Sequence, residues 1–333
     1  MEVIAIFDIG KNNQKFLLFD PWLNVVHSEE KIPGGISDDE VFSSKEIAAI
    51  EAWMRSCLNA VVKDGKYNIK ALNFSAFEGG MKQLIHKTMP DAPGKVLNIK
   101  TGRGINDSSA ALIPYLKGTK EQFILISTGT WCTFMNPFNT EPLTAEQLRG
   151  EMPYYMSIDQ KEVKTSRFFL GHIHDKNVER LNDYFGIQDD LYKTIKIRDL
   201  KIWKLLVNKQ GRVFFREGIP ADYVDNEVDI SQFLTFADAY HQMMFDLVDI
   251  CMESVRLILA HDDMTEIVYI TGGFARNDTF VRLLATRLHR KRVFTSEISD
   301  SSALGAAMEV YESAFGKEIP PVYLGLKAIY SNQ

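Results

Sequence analysis

Cysteine is scarce in this chain: three residues, Cys57, Cys132 and Cys251, are scattered over 333 positions. That excludes a disulfide framework and a cysteine-built zinc cluster. The three are expected to be small buried hydrophobes in a reducing compartment. Long apolar runs are missing too, so no membrane span is expected. Positive charge is not in excess. Lys and Arg number 38 against 44 Asp and Glu, a formal charge of −6, whereas a phosphate-backbone binder needs a basic face. Neither nucleic acid nor membrane is therefore an expected partner. No strand is followed by G-x-G-x-x-G, which disfavours a nicotinamide dehydrogenase. The run from Met1 to Phe7 already looks like a strand, so no secretory leader is expected and the location should be cytoplasmic.

What remains is the profile of an ordinary globular protein, 45% hydrophobic and 25% charged, with enough chain for two domains or one large one. Its most informative feature is a duplication. Residues 4–20, IAIFDIGKNNQKFLLFD, and residues 123–138, FILISTGTWCTFMNPF, are each an apolar β-rich run, a polar turn with glycine, and a second apolar run. Gly10 and Gly129 hold matching places in the two turns. A hairpin tip of this kind offers backbone N–H groups to an anion, and glycine allows close approach. Two of them facing a cleft would grip a polyphosphate; two ordinary hairpins are the alternative. Repetition at half-chain scale suggests two related lobes.

The coarse pattern is mixed α/β. Strands at 3–8 and 14–19 precede a helix from Ser44 to Lys63, marked by the stripe Ile47, Ile50, Trp53, Met54, Leu58 and Val61. A strand is expected at Asn68–Ser75, then the second hairpin, then a charged middle (151–230) of short elements. A long helix is expected from Ser231 to Ala260, its Met and aromatic stripe serving as core. The strand Glu266–Thr271 runs into Gly272-Gly273-Phe274-Ala275, with a helix from Asp278, a strand near Arg292–Thr295 and a small-residue helix through Ala303-Leu304-Gly305-Ala306-Ala307. Paired glycines between strand and helix suit a nucleotide or a tight packing turn.

Chemistry is most pointed at Gly102-Arg103-Gly104-Ile105-Asn106-Asp107-Ser108-Ser109. A carboxylate beside a helix N-terminus stays ionised and can accept a proton. Equally, Asp107 could simply cap a helix over Ser108–Tyr115.

In order, IAIFDIGKNNQK, GINDSSAAL, STGTW and YITGGFARND with ALGAA resemble the FGGY carbohydrate kinases of the actin/Hsp70/hexokinase superfamily, in a subgroup with DIGK in the first loop. The resemblance implies a two-lobed α/β fold, actin-like ATPase (ribonuclease H-like), with an interdomain cleft. The lobes would be 1–118, with the sugar side, and 119–333, with the adenosine site. It implies ATP and Mg²⁺ as cofactors and a ketose or related sugar as the small-molecule partner; a homodimer stays open. Asp8 would hold Mg²⁺, and Gly10, Lys11, Asn13 and Lys15 would form the first phosphate loop. Thr128, Gly129 and Thr130 would form the second, and Gly272, Gly273 and Asn277 would border adenosine. Asp107 would be the catalytic base, in a reaction that depends on positioning and charge neutralisation.

Three departures stand out. Asn106 replaces a frequent histidine, Lys11 and Asn12 replace hydroxyl residues, and the stretch between Gly80 and Gly102 is much shorter than in the family. For the sugar this leaves Ser75, Glu78 and Asn106 as candidate contacts. A catalytically impaired nucleotide-binding relative is the alternative function. Arg167, among aromatic residues, is expected in a salt bridge, and His172 with His174 lacks a third ligand for a metal site.

Overall fold

The run IAIF at the start of the first hairpin is apolar at every position because both faces of its strand are covered, and the computed structural model shows by what. It describes residues 1–10, 13–32, 43–76, 99–144, 155–157, 161–188, 190–207 and 211–330. Lys11, Asn12, Glu78, Gly79 and Gly80 lie outside the described residues. The chain divides into two compact units. The first comprises Met1–Lys120, Ser157–Gln160 and Asp300–Tyr323; the second comprises Glu121–Met156, Lys161–Ser299 and Leu324–Gln333.

The first unit holds strands β1 (Glu2–Ile9), β2 (Gln14–Phe19), β3 (Val25–Lys31), β4 (Asn68–Ala76), β5 (Lys100–Thr101) and β6 (Ile105–Asn106), with helices α1 (Ser44–Asp64) and α2 (Asp107–Gly118). Sheet order is β3-β2-β1-β4-β5, with β6 also on β4. β1 and β2 are antiparallel, as the hairpin pattern required, and β4 runs parallel to β1. Alternation along β1 separates its two faces. Val3, Ala5 and Phe7 join the cluster of Ile47, Ile50 and Met54 from α1, while Ile4 and Ile6 join Ala303, Ala306 and Ala307. A capping box between Ser43 and Glu46 starts α1, and Gly65 at φ 68° ends it, as such residues do.

The second unit holds β7 (Phe123–Thr128), β8 (Cys132–Asn136), β9 (Tyr155–Met156), β10 (Glu162–Phe168), β11 (Ile267–Gly272), β12 (Arg292–Ser296) and β13 (Leu326–Ile329). Its helices are α3 (Leu170–Phe185), α4 (Asp199–Val207), α5 (Phe236–Ile258) and α6 (Asp278–Arg287). Sheet order is β13-β12-β11-β7-β8-β10-β9. Its centre repeats the first sheet. β7, β8 and β10 form an antiparallel meander like β1, β2 and β3, and β11 lies parallel to β7 as β4 does to β1.

Several expectations change. The long helix starts at Phe236, not Ser231, because the Thr235 side chain accepts from the Asp238 N–H at 3.1 Å and caps it there. The charged middle contains a 16-residue helix, α3, whose buried Leu170, Ile173, Val178 and Leu181 form one stripe beneath charged neighbours. The helix α7 (Ser301–Phe315) belongs to the first unit, not with 119–333. Small residues explain this: a Cβ on Gly305 would stand 1.9 Å from the Ala110 carbonyl oxygen of α2, so only glycine allows the two backbones to close up.

Asp246 is a carboxylate on the buried face of α5. It accepts from the backbone N–H of Phe214 at 2.8 Å, of Val213 at 3.1 Å and from Gln242 Nε2 at 3.1 Å. Burial outweighs these donors and pushes its carboxyl up to about 7, from 3.8. The folded chain therefore binds this proton more tightly than the unfolded chain, and the stability it contributes below about pH 4 is lost as pH rises to 7. The denaturation midpoint of wild type relative to Asp246→Asn should fall between pH 4.5 and 7 and stay level above that. A difference independent of pH would show that Asp246 is ionised throughout.

Candidate functional site

In the first unit, chemistry gathers where the parallel strands end. Asp8 near the end of β1 is in register with Ser75 of β4 on one side and Lys15 of β2 on the other. The fully buried Ser75 donates its hydroxyl to Asp8 Oδ1, and Ser302 of α7 donates to Oδ2 at 2.8 Å. Burial raises the Asp8 carboxyl above its ordinary value; the two serine hydroxyls and Lys15 oppose that rise, while Asp300 adds to it. Lys15 Nζ sits 2.7 Å from Asp300 Oδ1. Its own burial favours loss of the proton, but the Asp300 contact wins and lifts the ammonium above its usual value. Asn13 donates to Glu30 of β3, and the Gly10 N–H donates to the Asn13 carbonyl at 3.0 Å, closing the hairpin. Ser75, a candidate sugar contact, is fully buried and donates its hydroxyl hydrogen bond to Asp8.

β6 pairs with the same end of β4, Ala76 opposite Asn106, and delivers Asp107 to this edge. Here the helix-cap expectation is corrected. Asn106 is the cap: its Oδ1 accepts from the N–H of Ser108 at 3.0 Å and of Ser109 at 3.2 Å. Asp107 is the first residue of α2, its Oδ1 2.6 Å from the Ser108 N–H. The positive helix end therefore favours the carboxylate without depending on it as the cap. The Asn106 amide nitrogen has no hydrogen-bond partner among the described residues.

The second unit repeats the arrangement. Thr128 at the end of β7 is in register with Gly272 at the end of β11. Thr128 Oγ1 donates to the Thr271 carbonyl and accepts from the Phe274 N–H at 3.1 Å. Gly272 has φ 87°, and a Cβ there would lie 1.8 Å from the Thr128 carbonyl oxygen. From α3, the Gly171 N–H donates to the Thr130 carbonyl at 3.0 Å, and a Cβ on Gly171 would meet the Gly129 carbonyl at 2.4 Å. The tip Thr128-Gly129-Thr130 is held between two glycines. Gly129 itself is open: its Cβ would meet only the Trp131 carbonyl, at 3.6 Å, and at Gly273 it would meet nothing. The guanidinium of Arg167, expected in a salt bridge, lies over the Trp131 ring at 4.8 Å.

Gly129, Thr130, His174, Gly273, Phe274 and Asn277 are among the residues lining a cavity of about 460 Å³, within the range of ligand pockets. Asn277 caps α6 through Oδ1, which accepts from the Phe280 N–H at 3.0 Å, and its Nδ2 donates to the Tyr240 hydroxyl at 2.7 Å. Burial pushes the Tyr240 phenol far above its ordinary value, so it keeps its proton and donates to His174 Nε2 at 3.2 Å. His174 Nδ1 then donates to Asp175 at 2.9 Å. His174 is thus occupied by a tyrosine and an aspartate, and no group of three His, Cys, Asp or Glu suited to a metal occurs among the described residues.

Sequence reasoning missed Asp300, Ser302, Gly171 and Tyr240. For the first two a signal existed: Asp300-Ser301-Ser302-Ala303 repeats Asp107-Ser108-Ser109-Ala110, and each run opens a helix of the first unit. Gly171 and Tyr240 become visible only through packing.

No protein-family model matches the sequence, and no curated protein matches it. Solved structures do match. A carbohydrate kinase from Novosphingobium aromaticivorans superposes with a TM-score of 0.64 at 13% identity, over 98% of this chain and 96% of that one. A ligand-bound xylulose kinase from Lactobacillus acidophilus gives 0.69 at 11% identity, over 99% and 93%. The activator of 2-hydroxyisocaproyl-CoA dehydratase from Clostridium difficile, with bound ADPNP, gives 0.53 at 16%, over 94% and 95%. Together with the repeated sheet order, these matches establish the fold: the chain is an α/β protein of the two-lobed actin-like ATPase, ribonuclease H-like type.

Proposed function

We propose that the chain is an ATP- and Mg²⁺-dependent carbohydrate kinase of the FGGY type, acting in the cytoplasm on a ketose or related sugar of the L-fuculose, L-rhamnulose or xylulose kind. The observation that carries the reading is the position of Asp107. It stands at the edge where β1, β4 and β6 end, as the first residue of a helix whose cap is Asn106, where the positive helix end favours its charged form.

The residues fit the two cofactors. The cavity beside Gly129 and Gly273 has the volume for a nucleoside, and both glycines leave their faces clear. Asp8 offers the hard oxygen ligand that Mg²⁺ prefers. ATP supplies the phosphoryl group, and Mg²⁺ neutralises its charge. In this reading Ser75 and Ser302 orient Asp8 toward the metal. Gly10, Asn13 and Lys15 shape the first phosphate loop, with Lys15 held by Asp300. Thr128, Gly129 and Thr130 shape the second, with adenosine bordered by Gly272, Gly273 and Asn277. Asp107 accepts the proton of the sugar hydroxyl as its oxygen attacks phosphorus. A coupled ADP-release screen over ketoses, aldoses and polyols with Mg-ATP tests the reading. Turnover with one of them is expected; ATP binding without phosphorylation of any would favour the impaired relative.

Two variants examine the parts separately. Gly129→Val meets no protein atom closely, so the thermal midpoint should hold. Crowding the phosphates should weaken Mg-ATP binding by roughly 5- to 150-fold, the equivalent of about 1–3 kcal/mol of overpacking. Unchanged affinity in the folded variant would remove this tip from the nucleotide site.

Asp107→Asn leaves the Asn106 cap in place but cannot accept the proton. Turnover should fall by roughly 10²–10⁴ while ATP affinity and thermal midpoint stay near wild type. Near-normal turnover would exclude Asp107 as the base.

A further inference from the structure

A groove on the second unit carries chemistry that the kinase reading leaves unused. Helix α4 turns Ile202 and Leu205 inward, yet it leaves Trp203 59% and Leu206 41% exposed. Both line a cavity of about 650 Å³ that is also lined by Arg256 of α5 and by Arg282 and Arg287 of α6. The volume lies in the range of small-molecule sites, which combine an apolar wall with a few polar groups. Among the described lining residues, three guanidiniums face one carboxylate, Asp199, in a chain whose formal charge is −6. Arg282 donates to the Ile197 carbonyl and to Asp199, and Arg287 forms an ion pair with Asp249 at 2.5 Å. A guanidinium carries five N–H donors, so these contacts leave donors on both, and Arg256 adds an exposed third cation.

An inorganic anion would leave the indole wall unused, and a neutral apolar molecule would leave the cations unused. We infer that this groove binds a small amphipathic anion: a carboxylate, sulfonate or phosphate head on an aromatic or alkyl body, with the head on Arg256, Arg282 and Arg287 and the body against Trp203 and Leu206. Guanidiniums take such heads bidentately, and an indole face takes flat apolar groups. The inference does not rest on the kinase reading, since every residue it uses lies outside the cavity beside Gly129.

The probe is 1-anilinonaphthalene-8-sulfonate, an aromatic body with one sulfonate, titrated by fluorescence into the full chain. One molecule per chain should bind, undisturbed by saturating Mg-ATP. Arg256→Gln and Trp203→Ala should each raise Kd by about tenfold or more with the thermal midpoint unchanged. The uncharged N-phenyl-1-naphthylamine should bind at least about tenfold more weakly. No binding, wild-type binding in both variants, displacement by Mg-ATP or equal affinity for the uncharged analogue would each overturn the inference. So would a dimer in sedimentation that Trp203→Glu dissociates, because the face would then be covered by a second copy. Failure of the chain to bind ATP at all would leave the sulfonate results standing.

Discussion

The contact on which the second unit's site depends is the approach of Gly272 to the carbonyl of Thr128, where a Cβ would come within 1.8 Å of the oxygen. Only glycine tolerates both that approach and the φ of 87°. Because β11 and β7 end side by side there, the Thr128 hydroxyl can bridge the Thr271 carbonyl and the Phe274 N–H. Gly171 presses on the other side of the same tip. The loop is thereby prearranged, and a ligand that meets a held loop does not bear the entropy of ordering it.

The first unit solves a different problem, that of keeping a carboxylate at a strand end without an arginine beside it. Burial raises Asp8, and hydroxyls from Ser75 and Ser302 counter that by stabilising the charged form. Ser302 can reach Asp8 because α7 closes on α2 and the sheet through small residues, with Gly305 against Ala110 and Ala303, Ala306 and Ala307 against Ile4 and Ile6. A helix that lies between the last two strands of the second unit in sequence therefore completes the environment of a residue near the N-terminus.

Much of this was legible in the sequence. The twin hairpins, the helix over 44–64 and the strand before Gly272 all follow from local pattern, and the ranges moved by only a few residues. The division into lobes was less legible, because the placing of α7 is decided by packing against distant residues rather than by its neighbours in the chain. Asp107 opens α2 as its first residue, the cap being Asn106, and residue type alone cannot distinguish two adjacent cap formers. Ser75 stood in the sequence as a candidate sugar contact; the register that sets it against Asp8 is a property of the parallel pair. The charged middle concealed α3 because its stripe is apolar at only one position in three or four.

On the proposed function, the chain would move a phosphoryl group from ATP to a sugar hydroxyl. The most direct measurement supplies ATP with ¹⁸O at the γ-phosphoryl oxygens, together with a mixture of ketoses, and weighs the products by mass spectrometry. The account predicts a sugar monophosphate carrying the label, which disappears with Asp107→Asn. Label found only in inorganic phosphate, or retained entirely in ATP, would contradict it.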